Sequence, residues 1–319
     1  MNTVREFKII SQKFDSPHLS SNLSWEVRES IVLRELKQTG EYVYGEIAPV
    51  PGFPFQPSIP EILIEAEKWA SNKQISNSGI LAPALSCMNS EIWKMNSNQK
   101  AKRIERSDLI STRNSESRRF SLKRKIGLFP VSEEIKKIKE WFRTLDPFSK
   151  VRLDANGSLS MNELSLWSTE FSTENRIEYL EQPVSDDFRD ELFEFSRNSK
   201  LPLAIDETIV AMGSPQPAKE QGWNGFYVIK PTLLTDWNLT LKFAKENPDK
   251  TVFSTVYESP FGYEALVRAC RFSNLEAGIS RENLKHNNIE LAGHHAEFLE
   301  SPAVSMSELN DFFGQVEIV

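Results

Sequence analysis

Six polar or charged residues recur at nearly constant spacing, each closing a short apolar run: Lys125, Asp154, Glu181, Asp206, Lys230 and Ser254. The intervals are 29, 27, 25, 24 and 24 residues, about the length of one strand, one helix and a return loop in a βα unit. Few folds accept that rhythm. In a parallel βα barrel the residues at the C-terminal ends of successive strands point into one mouth, so groups from distant segments converge there. The pattern predicts a barrel in which two lysines face three carboxylates, an arrangement suited to metal-assisted proton transfer.

The chain has 319 residues, enough for one barrel of roughly 200 to 250 residues and a smaller domain. Hydrophobic residues make up 39% and charged residues 26%, ordinary values for a soluble enzyme. A net charge of −7 gives no global attraction for nucleic acid or anionic lipid. Only Cys87 and Cys270 are present, too few for a disulfide framework or a thiolate metal site, and a reducing cytoplasm is expected. The opening residues have no apolar signal core, and no later run approaches the ~20 apolar residues that span a bilayer.

From Val4 to Pro49 the chain reads as an antiparallel meander, with extended segments at Glu6 to Ser11, Trp25 to Leu36 and Tyr42 to Ile47, and a turn at Lys37 to Gly40. A helix is expected near 60–71, where Ser58 and Glu61 have capping-box spacing and Ile62, Ala66 and Trp69 share a face. Strands followed by helices without alternation indicate an α+β module over 1–92. Between Asn89 and Phe120 the composition turns polar, with Ser107 to Ser111 as the one candidate for a first barrel strand. From Ser121 the alternation is regular. Helices are expected over Ser132 to Leu145 and Ser160 to Phe171, the second opened by a Ser160/Glu163 capping box. Strands are expected at 150–154, 176–181, 203–206, 226–230 and 252–254. The barrel then covers 93–306, and residues 307–319 form a tail that can return to the first module.

Asp154, Glu181 and Asp206 offer only oxygen ligands, which suit Mg²⁺ or Mn²⁺ better than zinc or copper. Removing a proton next to a carboxylate creates an enediolate, whose charge such an ion stabilises. Lys123 and Lys125 leave the same face of one strand, about 7 Å apart. A neighbouring cation and partial burial both disfavour protonation, so Lys125 is the candidate base. Lys230 faces it across the barrel, as a second acid/base or as fixed positive charge. Each piece also has an ordinary reading. Lys123-Arg124-Lys125 alone is a solvated basic patch, and Glu181-Gln182-Pro183 and Lys230-Pro231 are plain strand exits. Asp154-Ala-Asn-Gly157 alone is a turn; a calcium loop fails because Leu159 and Ser165 stand where glycine and glutamate are needed. Their joint spacing favours the site.

These residues carry a family resemblance. Lys123-Arg-Lys125-Ile-Gly, Arg152-Leu-Asp154-Ala-Asn156, Leu180-Glu181-Gln-Pro183, Ile205-Asp206-Glu207 and Ile229-Lys230-Pro231-Thr232 resemble the second to sixth barrel strands of the enolase superfamily, in its muconate-lactonising subgroup. Gly45-Glu46-Ile47-Ala48-Pro49-Val50-Pro51-Gly52-Phe53 is similar to a stretch typical of its o-succinylbenzoate synthase family. The resemblance implies an α/β fold, a modified TIM barrel of (β/α)7β form with an N-terminal α+β capping domain, and Mg²⁺ on Asp154, Glu181 and Asp206. It implies dehydration of 2-succinyl-6-hydroxy-2,4-cyclohexadiene-1-carboxylate in menaquinone synthesis. Lys125 is then the acid/base, Lys123 contacts the carboxylate and tunes Lys125, and Lys230 stabilises the enediolate. Ser254, Arg152 and Gly293 are implied as substrate contacts, Gly293 through its backbone N–H. The eighth strand departs from the pattern, because Ala292-Gly293-His294-His295 stands where relatives show Gly-Leu-x-Thr. His294 and His295 read better as a surface or packing pair.

Other enzymes share this apparatus: N-succinylamino-acid racemases, dipeptide epimerases and muconate cycloisomerases. A dipeptide epimerase is expected to carry Asp-x-Asp on the eighth strand. A non-catalytic relative that binds a metal or an acidic ligand predicts no turnover. Nucleic-acid binding through Arg118 to Lys125 predicts salt-sensitive retention on a polyanion. The partner expected is a small-molecule carboxylate, with no nucleic acid and no membrane insertion.

Overall fold

The computed structural model describes residues 4–20, 23–50, 53, 56–94, 101–110, 121–281, 284, 290–296 and 298–316. Pro51, Gly52, Ser111 and the run Ser117-Arg118-Arg119 lie outside the described residues.

The N-terminal sheet is antiparallel in the order β1 (Arg5–Ser20), β2 (Leu23–Leu36), β3 (Tyr42–Ile47). The Lys37 to Gly40 turn closes with a 2.9 Å bond from the Gly40 amide to the Lys37 carbonyl, at a glycine φ of +84°. β1 runs well past the expected Ser11, so the β1–β2 ribbon reaches beyond its own sheet. Helix α1 (Ile59–Ala70) starts at the Ser58/Glu61 capping box and buries Ile62, Ala66 and Trp69. Helix α2 (Ser78–Met88) carries Pro83 inside it and packs so close to β3 that a Cβ on Gly45 would meet the Ala84 carbonyl oxygen at 2.1 Å. Only glycine fits there.

After the short strand β4 (Lys102–Ile104) comes the first barrel strand, β5 (Asp108–Ile110), followed by β6 (Ser121–Lys125), α3 (Val131–Phe142), β7 (Lys150–Asp154) and α4 (Met161–Glu170). The alternation continues through β8 (Ile177–Glu181), α5 (Arg189–Ser196), β9 (Leu203–Ile205), α6 (Glu207–Met212), α7 (Gln216–Glu220), β10 (Phe226–Ile229), α8 (Trp237–Glu246), β11 (Thr251–Phe253) and α9 (Pro260–Cys270). β5 to β11 form one sheet of 7 strands in sequential order, parallel at each pair. Parallel bridges from Arg106 to Ala277 and from Ser254 to Gly278 link its two edges. The result is a modified TIM barrel with an N-terminal antiparallel sheet.

The closing position corrects one expectation. Residues 277–278, not 292–295, take the eighth place; Ala292–His295 is a short 3₁₀ turn outside the barrel. The regular interval gives the physical reason, since Gly278 stands 24 residues beyond Ser254. The last elements are β12 (Leu299–Ser301), antiparallel to β4, and α10 (Met306–Gln315). α10 lies against the first sheet: Lys8 Nζ donates to the Phe313 carbonyl at 2.5 Å, and Phe313 packs on Tyr44.

Candidate active site

Register assembles the mouth of the barrel. Lys125, Asp154 and Glu181 are ladder partners in one row of β6, β7 and β8, and Lys123, Arg152 and Tyr179 form the row beneath. Asp206 follows β9 directly, Lys230 follows β10 and Ser254 follows β11. These chain exits turn sharply: Asn156 and Gln182 adopt φ of 44° and 36°. Asn156 donates its amide to Asp154 Oδ1 at 3.0 Å and its side-chain nitrogen to Glu207 Oε1 at 3.1 Å. Gln182 Oε1 accepts the amides of Asp206 and Thr208 at 2.9 and 3.1 Å, which fixes the β9 exit against the β8 exit.

The charged groups interlock. Lys123 Nζ lies 2.7 and 2.8 Å from the two Glu181 oxygens and 2.9 Å from Asp154 Oδ2, while Lys230 Nζ bonds Asp206 Oδ2. Burial opposes the Lys123 charge, but Asp154 and Glu181 outweigh it and hold its pKa well above the ordinary range. Lys230 is likewise raised against burial by Asp206 and Glu207. Lys125 goes the other way. Burial is the largest influence and holds it below the ordinary lysine value; Asp154 opposes this, and Lys123 reinforces it. Glu181 is pushed up to about 7 by burial and then by the Asp154 charge, and Asp206 to about 6 by burial, only partly offset by Lys230. Asp154 stays below its usual range because Lys123 and Lys125 overcome its burial.

Among the described residues, no three carboxylate, imidazole or thiolate side chains converge as a preformed metal site. The lysine ammoniums stand between the carboxylates instead. Two observations still fit a hard cation. Asp206 Oδ1 and Glu207 Oε2 are buried without a hydrogen-bond partner, and four carboxylates meet three lysines in one buried cluster, every donor an oxygen. Glu207 was not singled out from the sequence, although it directly follows Asp206.

The cluster opens into a cavity of about 100 Å³. Lys123, Lys125, Asp154, Asn156 and Lys230 form its base. Ser254 lines it too, its hydroxyl 3.3 Å from the Gly278 carbonyl oxygen, and Gly278 and Ser280 complete that side. The opposite wall comes from the first sheet and the strap after it: His18, Trp25, Val50 and Phe53, with the Phe53 ring 4.9 Å from Lys230 Nζ. His18 stacks on Phe14 and meets the Tyr257 ring edge-on at 4.7 Å. Burial, followed by the Lys125 charge, depresses its pKa to about 4. Reading β1 as ending at Ser11 hid this residue; only the full ribbon length carries it over the mouth.

Two expected substrate contacts do not reach the cavity. Arg152 is 0% exposed one row below, with Nε 2.5 Å from Glu178 Oε2 and its guanidinium 5.2 Å from the Tyr179 ring centroid. It shares a face with Asp154 but sits one layer too deep. Gly293 is packed where a Cβ would meet the Ala303 carbonyl oxygen at 2.2 Å, far from the lining residues. His294 is a buried packing residue, its Nε2 3.1 Å from Glu264 Oε2, and His295 pairs with Glu290.

Comparison with known proteins agrees with this architecture. Residues 113–234 match a family model described as Enolase C-terminal domain-like. The chain is 26% identical over 307 residues to an o-succinylbenzoate synthase from Thermosynechococcus vestitus, covering 85% of this chain and 88% of that protein. The crystal structure of o-succinylbenzoate synthase from Thermosynechococcus elongatus BP-1, complexed with Mg in its active site, superposes with a TM-score of 0.75 at 20% identity, covering 98% and 99% of the two chains. An L-Ala-D/L-Glu epimerase from Bacillus subtilis gives 0.71 at 16% identity over 88% and 90%. Muconate lactonizing enzyme from Pseudomonas fluorescens gives 0.67 at 15% over 89% of each chain. No helix among the described residues is long and apolar enough to cross a membrane.

Proposed function

We propose that this chain, which has the enolase-superfamily fold and resembles o-succinylbenzoate synthase, is a lyase that dehydrates 2-succinyl-6-hydroxy-2,4-cyclohexadiene-1-carboxylate to o-succinylbenzoate, serving menaquinone synthesis in the cytoplasm. The observation that carries this reading within the fold family is the chemistry of the cavity wall. Its base holds three lysines, and beyond Asp154 the described lining residues carry no acid. A carboxylate-rich substrate is favoured there. The segment from the closing bridges onward, Ala277-Gly278-Ile279-Ser280, carries no acidic pair to hold a substrate ammonium, which speaks against dipeptide epimerisation. Residues 1–92 would act as the capping unit, 93–306 as the barrel and 307–319 as a returning tail.

In this mechanism Lys125 Nζ removes the proton α to the ring carboxylate, leaving an enediolate. The same nitrogen, now an ammonium, returns a proton to the departing hydroxyl, which leaves as water from the face it already contacts. Lys123 bonds the ring carboxylate and keeps a positive charge beside Lys125. Lys230 holds a second positive charge against the enediolate from the opposite side. Product aromaticity supplies much of the driving force. Asp154, Glu181 and Asp206, with Glu207 next to them, would hold Mg²⁺ or Mn²⁺. When bound, the ion supplies a fixed charge that stabilises negative charge developing on the carboxylate oxygens.

The test is an ultraviolet assay with the cyclohexadiene substrate and Mg²⁺, run beside a Lys125→Ala variant and a chelated control. Loss of the diene band that requires both the ion and Lys125 supports the reading. A flat trace from folded, Mg²⁺-loaded protein rejects it, and turnover of an N-succinylamino acid in its place assigns racemisation.

A further inference from the structure

A second apolar cluster lies at the seam between the first sheet and the barrel mouth, and includes Phe14, Trp25, Phe53, Val256 and Tyr257. Inside it, Tyr257 adopts a φ of 61°. That left-handed conformation is uncommon for any residue with a side chain and strained for a bulky one. Strain of this kind persists only where the surroundings over-determine the backbone, and it concentrates at ligand sites. Tyr257 lines the cavity, its ring against His18 and Phe14.

The surroundings do over-determine it, from both ends. On the N-terminal side, the buried Arg28 of β2 donates Nε to the Val256 carbonyl at 2.8 Å. The same guanidinium bonds the Ala48 carbonyl, the Pro49 carbonyl at 2.7 Å and the Glu29 carbonyl at 2.9 Å. One side chain thus ties β2, the strap that leads to Val50 and Phe53, and the loop after β11. On the C-terminal side, Glu46 of β3 accepts the Ser259 amide at 2.8 Å, the Ser259 hydroxyl at 2.5 Å and the Gly262 amide at 2.9 Å. Ser259 makes no side-chain cap of its own, so the first turn of α9 is capped by a carboxylate from the other unit. A Cβ on Gly262 would sit 2.3 Å from Glu46 Oε2, so glycine is needed for that approach. Between the two clamps, the buried Glu258 carboxylate takes the Thr232 and Thr255 hydroxyls and the Val256 amide.

We propose that Arg28 and Glu46 are positioning residues that together hold Tyr257 in its strained conformation against the substrate cavity, so that two side chains of the first sheet set the shape of a wall built by the barrel. Neither touches the cavity itself; both act through the loop 255–259. The inference rests on the reading of this cavity as the substrate site, and not on which carboxylate is turned over. Arg28 suits the role because its planar fork serves several carbonyls at once, which a lysine cannot do. Burial lowers its pKa to about 10, leaving it charged at neutral pH.

The experiment compares wild type, Arg28→Met, Tyr257→Gly and the double variant. Amide hydrogen exchange in Arg28→Met should quicken about 10-fold or more across 255–258 while α3 and α4 keep their protection. KM for the cyclohexadiene substrate should rise about 10-fold with kcat within about 3-fold, the signature of lost substrate positioning. In the Tyr257→Gly background, where the strain is gone, the Arg28→Met penalty should largely vanish, because the two act through one contact. Millimolar guanidinium should restore part of the lost KM. If Arg28→Met fails to fold, Arg28→Lys should show the same pattern at smaller size, and Glu46→Gln should loosen the same segment from its other end. Unchanged exchange at 255–258, a uniform rise over the whole chain, or fully additive penalties would overturn the proposal. A wild type that ignores the diene would instead remove the proposed reaction, and the exchange comparison would still decide the clamp.

Discussion

The barrel encloses two charged layers, and they obey different rules although β6, β7 and β8 build both. In the lower layer Arg152 pairs with Glu178, lies over Tyr179 and sits above a floor of Ala204, Val228 and Val252. In the upper layer, two residues along the same strands, Asp154 and Glu181 meet Lys125 and the Lys123 ammonium that reaches up from the lower row, beside an open cavity. Both layers are buried. What separates them is where the charge goes: the lower guanidinium is spent on Glu178 and, at 3.4 Å, on the Ser107 hydroxyl beneath the cavity, while in the upper layer burial and like-charge crowding push Lys125 down and Glu181 and Asp206 up. An ion pair held below the cavity has its charge already matched, and its removal is felt as a buried charge left alone. Groups whose proton affinities are forced apart at the edge of a cavity are equipped for proton transfer.

That contrast breaks if the layers can be exchanged in effect, and the largest test is Lys125→Ala. If Lys125 is the base of the proposed reaction, its loss should lower kcat by about 10³-fold or more, with a thermal midpoint within a few degrees of wild type, measured by the diene assay and by calorimetry. Arg152→Met should do the reverse. Leaving the half-buried Glu178 without its partner should cost about 2 kcal/mol in urea unfolding, while turnover per folded molecule stays within a few-fold. Stability unchanged and turnover lost would return Arg152 to the substrate.

The upper layer was the part most legible in sequence, because its spacing is imposed by the βα unit and its residue types by the chemistry. The capping boxes at Ser58 and Ser160 marked their helix starts for an equally local reason. Depth was not legible. A period of 2 places Arg152 and Asp154 on one face of β7 but says nothing about which row the mouth reaches. Helix α2 escaped notice because Pro83 inside it reads as a breaker. The eighth strand was misplaced although the interval of 24 residues that links Asp206, Lys230 and Ser254 leads on to Gly278. His18 and Tyr257 depend on contacts between distant segments, which no local pattern encodes.

The two glycines sharpen the same distinction at smaller cost. Gly293→Ala would drive a methyl into the Ala303 carbonyl, so overpacking should destabilise the protein by about 2 kcal/mol with KM unaltered in folded molecules. At Gly278 an added Cβ would come nearest the Ser254 hydroxyl, at 3.3 Å, with every other neighbour at ordinary contact distance. Gly278→Ala should melt near wild type and raise KM, because the new methyl faces the cavity. If instead Gly293→Ala raises KM at unchanged stability, the barrel's eighth position has been assigned to the wrong segment.

The smallest effect tests how far the upper layer's field extends. His18 belongs to the first sheet, yet after burial the Lys125 charge is what lowers its pKa to about 4. In the unfolded chain the imidazole titrates near 6.5. Well above pH 7 it is neutral in both states and contributes no pH dependence. As pH falls through 6.5 the unfolded chain takes up the proton and the folded one resists, so this contribution to stability is lost progressively down to about pH 4. Allowing for partial solvent access, the loss should be on the order of 1 to 2 kcal/mol. His18→Phe keeps the ring stack and removes the titration, so its stability should fall less than wild type between pH 6.5 and 4.5. Lys125→Ala, which leaves His18 in place, should raise the imidazole pKa seen by NMR. Parallel stability curves for wild type and His18→Phe would mean that His18 is solvated and that the charged layer ends at the barrel. A raised imidazole pKa in Lys125→Ala would mean that the lysine acts on the opposite wall, and that both units share the electrostatics of one site.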